Sequence, residues 1–96
     1  MRADLDPAIH APARLQLMTL LTAVSEAEFA TVRDHLEVSD SVLSKHVSAL
    51  AAVDYVSSRK GVHQGRRTTW LRLTRSGRRA LAAHVAALRA LIAGVD

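Results

Sequence analysis

The sequence predicts a mostly helical α+β fold: helices interrupted once by a small β-hairpin. Two observations carry that prediction. Apolar residues recur at helical spacing in several stretches, notably Leu17, Met18 and Leu21 and later Leu43, Val47 and Leu50. Between the helical stretches stand two short runs rich in β-branched and aromatic residues, YVSSR (55–59) and TTWLRL (68–73). A length of 96 residues suits one small domain over residues 1–96.

A first helix is expected over about residues 11–24, with Pro12 in its first turn and Leu17, Met18, Leu21 and Val24 as its apolar stripe. Residues 25–29 break the pattern and leave room for a short strand. A second helix of two turns follows over residues 31–36, where Val32 and Leu36 stand four apart. Ser39 is a natural N-cap for a third helix, and Asp40 lies favourably near the positive end of its dipole. Leu43, Val47 and Leu50 make the buried stripe of that helix, which leaves Ser41, Ser44, Lys45 and Ser48 outside.

The two β-like runs are separated by KGVHQGRRT, with glycines at 61 and 65, and read as a hairpin with a long basic tip. Trp70, the only tryptophan, is expected as a core plug beneath it. Thr74 can cap a last helix whose Leu81, Val85, Leu88, Ile92 and Val95 step by 4, 3, 4, 3, a coiled-coil-like seam that Leu91 broadens. Residues 75–95 are therefore the expected dimerisation helix, the alternative being that the seam only covers the core of its own chain.

Charge is segregated along the chain. Residues 1–54 carry four basic and eight acidic side chains, whereas residues 55–95 carry nine basic side chains and no acid. Eight of those nine fall within residues 59–79, which concentrates positive charge on one region, as a polyanion partner requires. With no cysteine there is no disulfide framework and no thiolate chemistry, consistent with the cytoplasm. The N-terminal stretch lacks the apolar core of a secretory signal, and the most apolar stretch, ALAAHVAALRALIAGV, carries His84 and Arg89, so no membrane association is expected.

The segment SDSVLSKH (39–46) holds the residue types of a serine hydrolase, but helical geometry scatters them. At about 100° per residue, Ser44 and His46 point to nearly opposite sides. Ser39 and His46 share a face but lie about two turns apart, too far for the hydrogen bond that activates a nucleophile. The residue three before Lys45 is Val42, which removes a Ser-x-x-Lys pair, and there is no Gly-x-Ser-x-Gly elbow. No enzymatic activity is expected. The histidines at 10, 35, 46, 63 and 84 lack ligand spacing on any one element, so no metal or other cofactor is expected. The alternative weighed is a metal site shared between His84 and its mate in a second chain.

Helix, short helix, tight turn, helix, basic hairpin, helix is the order of a helix-turn-helix followed by a wing. The segments FATVRDHLEVSDSVLSKHVSALAAVDYVSSRKG and GRRTTWLRLTRSGRRAL resemble the winged-helix transcriptional regulators of the MarR and ArsR type, especially their short single-domain bacterial relatives. The resemblance runs from about residue 9 to residue 92. It rests on DSVLSKH at 40–46, on the junction Asp54, Tyr55 and Val56, and on Leu-Thr-x-x-Gly-Arg at 73–78. Asp54 stands where the family has glycine, and aspartate is among the few residues that accept a left-handed backbone.

The resemblance implies a homodimeric repressor or activator that binds double-stranded DNA at a pseudo-palindromic operator. Residues 40–52 would be the recognition helix in the major groove, and the basic wing, residues 59–69, would lie on the backbone or in the minor groove. Ser41, Ser44, Lys45 and Ser48 would face the groove, with Asp40 either accepting from a cytosine or serving the helix terminus. Thr31 would meet a phosphate. His46 would lie near the backbone or pack against the second helix. Arg66 and Arg67 at the wing tip would contact phosphate or enter the minor groove, supported by Lys60 and Arg59. The ligand cluster of ArsR-type metal sensors is missing, and nothing in the sequence supports a small-molecule effector. A protein-interaction module is the alternative from another class, and RNA binding would call for exposed aromatics beyond Phe29, Tyr55 and Trp70.

Overall fold

The computed structural model describes residues 4–95. Four helices and a three-stranded antiparallel sheet follow in the order α1 (Pro12–Thr22), β1 (Ala27–Glu28), α2 (Phe29–Leu36), α3 (Asp40–Ala52), β2 (Val56–His63), β3 (Arg66–Leu73) and α4 (Arg75–Ala93). This is the expected α+β order. Pro12 opens α1, where its missing N–H costs nothing, but the helix stops two residues short of Val24, which is exposed. α2 begins two residues earlier than expected, at Phe29, which places Thr31 in its first turn.

One core joins all the elements. Ile9, Leu17, Met18, Leu21, Val32, Leu43, Leu50, Val56, Leu71, Leu73 and Leu81 bury their side chains together. The helical stripes of α1, α2 and α3 thus converge on one face of the sheet, and apolar burial of this kind supplies most of the favourable free energy.

Two left-handed residues set the angles of α3. Glu37 (φ 56°) ends α2, with the Val38 amide donating to the Arg33 carbonyl and the Glu37 amide to the Asp34 carbonyl. Asp54 (φ 63°) ends α3 in the same way, with Tyr55 N–H donating to Leu50 O at 2.9 Å and Asp54 N–H to Ala51 O at 3.0 Å. Both are Schellman closures, and Asp54 fills its left-handed position as the sequence implied. At the other end of α3 the Ser39 hydroxyl accepts from the Val42 amide at 3.2 Å.

The hairpin differs from the expected one. β2 and β3 pair without interruption from Val56↔Leu73 to His63↔Arg66, and only Gln64 and Gly65 turn the chain. Both have positive φ (53° and 76°), which a type I′ hairpin turn requires. There is no long basic tip: residues 60–63 and 66–67 are ladder residues. β1 adds to the other edge of β3 through Ala27↔Leu71 and Glu28↔Trp70, giving the order β1-β3-β2.

In α4 the buried residues are Gly77, Leu81, His84 and Ala87, so of the apolar seam only Leu81 is fully inside the chain. Leu81 is only 6% exposed and belongs to the core of its own chain, with Val85 packed against it. Beyond Leu88 the helix leaves the body, and Ile92 and Val95 are 67% and 73% exposed. That overhang contributes to an elongated molecule of 52 × 25 × 21 Å.

The wing root, α3 and α4 meet at a knot of short hydrogen bonds. Thr74 donates its hydroxyl to Asp54 O (2.6 Å), accepts from Gly77 N–H (2.8 Å), and gives its amide to Tyr55 O (3.0 Å). A Cβ on Gly77 would overlap the Tyr55 carbonyl. Gly77→Ala is therefore expected to lower stability by about 3 kcal/mol or more. Gly94→Ala, where an added Cβ meets only ordinary contact, should change it by less than about 0.5 kcal/mol. Urea unfolding of both variants checks this.

Candidate nucleic-acid interface

Strand alternation gives the wing two faces. Val56, Ser58, Lys60 and Val62 of β2 share one face with Leu73, Leu71, Thr69 and Arg67 of β3. At the root this face is core. Further out it looks across a groove to α3, in which Phe29, Asp40, Ser44, Val47 and Ser48 face Ser58, Lys60 and Thr69. A second hollow continues outward, lined by Arg33 and Asp40 on one side and by Lys60, Val62 and Arg67 on the other.

α3 turns the predicted residues outward. Ser41, Ser44, Lys45 and Ser48 are all exposed, while Leu43 and Leu50 are buried and Val47 half-buried. The four are short or flexible donors with little bulk to hold the helix off a groove. Among the described residues no carboxylate pairs with Lys45, Lys60, Arg66 or Arg67. Lys60 instead donates to the Thr69 hydroxyl at 3.2 Å. The register separates Arg67, beside Lys60 on the groove face, from Arg66 on the opposite face at the tip. Thr31 is exposed on α2.

Asp40 stands in the first turn of α3 with its carboxylate largely exposed, one oxygen accepting from Arg33 at 2.9 Å, and Arg33 also holds Asp34. Three sequence-based expectations require correction. His46 packs against α1, not α2, and its Nδ1 accepts from Arg14 Nε at 3.3 Å. Arg59 lies on the far face of the wing, its Nε and one terminal nitrogen donating to Glu26 at 2.6 and 2.7 Å. Trp70 is no core plug: it sits half-buried on that same far face, under the Arg59 guanidinium (5.5 Å) and edge-on to His63 (5.6 Å). Its neighbour Leu71 takes the core position instead, because alternation sends adjacent residues to opposite faces.

Sequence reasoning missed Arg33, Glu26 and Glu28. Glu28 accepts from the Thr68 hydroxyl at 3.0 Å and lies 3.4 Å from His63 Nε2. Only the strand register brings these groups together, and no local signal in the sequence marks it.

The remaining chemistry is structural. His84 is buried in its own chain, its Nδ1 accepting from the Asp6 amide at 2.9 Å, so it does not face outward as a ligand shared between chains. Asp6 also accepts the Tyr55 hydroxyl at 2.6 Å, a bond that holds the Tyr55 phenol above its usual pKa. Among the described residues no three metal-ligating side chains cluster, and no helix is long and apolar enough to cross a membrane.

The model of the family described as winged helix DNA-binding domain matches residues 13–92. The chain belongs to this family. The winged helix is similar to the transcriptional regulator homologue protein of Pyrococcus horikoshii OT3, with a TM-score of 0.87 and 25% identity over 93% of this chain and 88% of that one. It is similar also to a MarR family transcriptional regulator of Streptomyces coelicolor (TM-score 0.72, 26% identity), covering 86% of this chain and 57% of that one. An uncharacterised protein of Methanocaldococcus jannaschii is 29% identical over 65 residues, 68% of this chain and 71% of its own. The family is that of a winged helix DNA-binding domain, and the fold is shared with transcriptional regulators, one of them of the MarR family.

Burial, and then the charge of Arg14, push the His46 pKa below its usual value. A pKa lower in the folded than in the unfolded chain means that the unfolded chain takes up protons first. Stability from this group is full above the unfolded value, about 6.5, and is lost as pH falls through the folded one. His46→Asn, which can still accept from Arg14, should flatten the part of the stability loss below about pH 6.5 that belongs to this residue. Thermal melts of both proteins between pH 7.5 and 5 measure the difference.

Proposed function

We propose that the protein is a homodimeric, sequence-specific regulator that binds double-stranded DNA and represses by occupying its operator. α3 enters the major groove with Ser41, Ser44, Lys45 and Ser48 toward base edges and phosphates. The groove face and tip of the wing, with Lys60, Arg66 and Arg67, lie on the flanking backbone or minor groove. Thr31 meets a phosphate beside the first turn of α2. The observation that carries this reading is the pairing of two surfaces: an exposed polar face on α3, and on the facing side of the wing Lys60, across the groove from Ser44 and Ser48, with Arg67 beyond it, neither held by a carboxylate among the described residues. Unpaired cations beside a helix free of bulky side chains are what phosphate positioning and base reading require.

α4 supplies the contact for the second chain. Leu88 is half-buried, and Leu91, Ile92 and Val95 stand exposed beyond the body, a row of large apolar side chains that a monomer leaves in water. Closer to the body, Ala82, Val85 and Ala86 with Thr22 form a shallow apolar groove between Arg78 and Arg89. Residues 75–95 thus supply the dimer contact through Leu88, Ile92 and Val95 with Leu91, the inner Leu81 and Val85 serving the core. Two-fold pairing sets two recognition helices about one turn of DNA apart, roughly 34 Å.

Gel-shift titration at several salt concentrations tests the DNA reading. The double change Arg66→Ala, Arg67→Ala should weaken binding to all duplexes and make the slope of log K against log salt shallower by about one to two units. Lys45→Ala or Ser44→Ala should instead alter sequence preference, by about 1–3 kcal/mol at one position. A wild-type protein with no salt dependence, or with equal affinity for random duplex, contradicts the proposal. Ile92→Glu should sediment as a monomer, remain folded, and lose the tight operator complex.

A further inference from the structure

The turn between α2 and α3 carries the one ion pair that joins those helices among the described residues, Arg33 to Asp40. Asp40 is the first residue of α3, and its carboxylate stays largely exposed. Among the described residues it is also the only carboxylate lining either hollow beside the wing, where Lys60 and Arg67 stand without acidic partners. A negative charge there faces the phosphates that the cations attract, at separations where about 8–10 Å of screening length leaves the repulsion felt. The nitrogen of Arg33 held by Asp40 is at the same time withheld from any phosphate.

Two consequences differ in sign for the two modes of DNA binding. Sequence-independent binding is almost wholly phosphate electrostatics, so a carboxylate on the groove wall subtracts from all of it. Sequence-specific binding adds base contacts that depend on how α3 is oriented, and a guanidinium fork bridging Asp34 and Asp40 fixes that orientation across the turn.

We propose that Asp40 is a specificity-determining positioning residue. Through Arg33 it fixes the recognition helix, and through its own charge it disfavours binding to DNA of the wrong sequence. This rests on the DNA-reading assignment above and names what controls selectivity at that same site.

The test begins with the wild-type protein and a pool of duplexes randomised at the centre. If no sequence is enriched, the DNA-reading assignment itself fails, before any variant is made. With an enriched duplex in hand, affinities for it and for a scrambled duplex of equal composition are measured for wild type and Asp40→Asn. The variant should bind the scrambled duplex about threefold to tenfold more tightly, with the slope of log K against log salt steeper by about one unit. Affinity for the enriched duplex should stay level or fall, so the ratio of the two drops. Arg33→Lys, which keeps the charge and loses the fork, should weaken the enriched complex without weakening the scrambled one. Equal changes on both duplexes, or none, overturn the proposal. A changed preference at one base pair with the scrambled affinity unmoved also overturns it, by making Asp40 a base reader.

Discussion

The interface depends on the knot at Thr74. One hydroxyl ties the carbonyl just past α3 to an amide in the first turn of α4, while the backbone of the same residue closes the wing root on Tyr55. Three elements that must keep fixed angles are thus joined within a few residues. Each bond satisfies a group that would otherwise be left unpaired at a chain reversal. Asp54 makes the reversal possible by accepting a left-handed backbone, and Gly77 by leaving room for the Tyr55 carbonyl. The Tyr55 hydroxyl extends the knot to Asp6, and the Asp6 amide reaches His84, so the N-terminal segment and α4 are held to the same point.

From that point α3 and the wing diverge with a groove between them. The wing's alternation then sorts its charges. On the far face Glu26 holds Arg59, which covers Trp70, and the Ser57 hydroxyl accepts from Arg72, whereas Lys60 and Arg67 on the groove face and Arg66 at the tip have no acidic partner among the described residues. Among the wing arginines of the described residues, only Arg59 is neutralised by a carboxylate. The basic excess of residues 59–79 overstates the working patch, because part of it is used to hold the wing to β1 and the segment before it.

Local signals were legible in the sequence. Ser39 and Thr74 act through amides three residues away, Pro12 through its own ring, and Asp54 through its own φ. The outward set Ser41, Ser44, Lys45 and Ser48 followed from helical geometry once Leu43 and Leu50 were taken as core. What stayed hidden depends on partners far along the chain or on the choice between two faces. Gln64 at positive φ is not a residue that marks a turn, so the hairpin looked looser than it is, and the face of Trp70 went with that error. Arg14 meets His46 across 32 positions and Arg59 meets Glu26 across 33, separations at which spacing carries no information. For the seam on α4, a regular apolar step does not say which of its residues belong inside one chain: Leu81 is buried there, Val85 and Leu88 are half-buried, and Ile92 and Val95 are exposed.

The most direct measurement of the central claim is a titration of the isotopically labelled protein with its selected duplex, followed through backbone amide resonances. The largest shifts are expected on Ser41, Ser44, Lys45 and Ser48 of α3 and on the wing around residues 60–67, with the Trp70 indole and Arg59 moving little. Shifts concentrated on the Trp70 face of the wing, with α3 unperturbed, would contradict it.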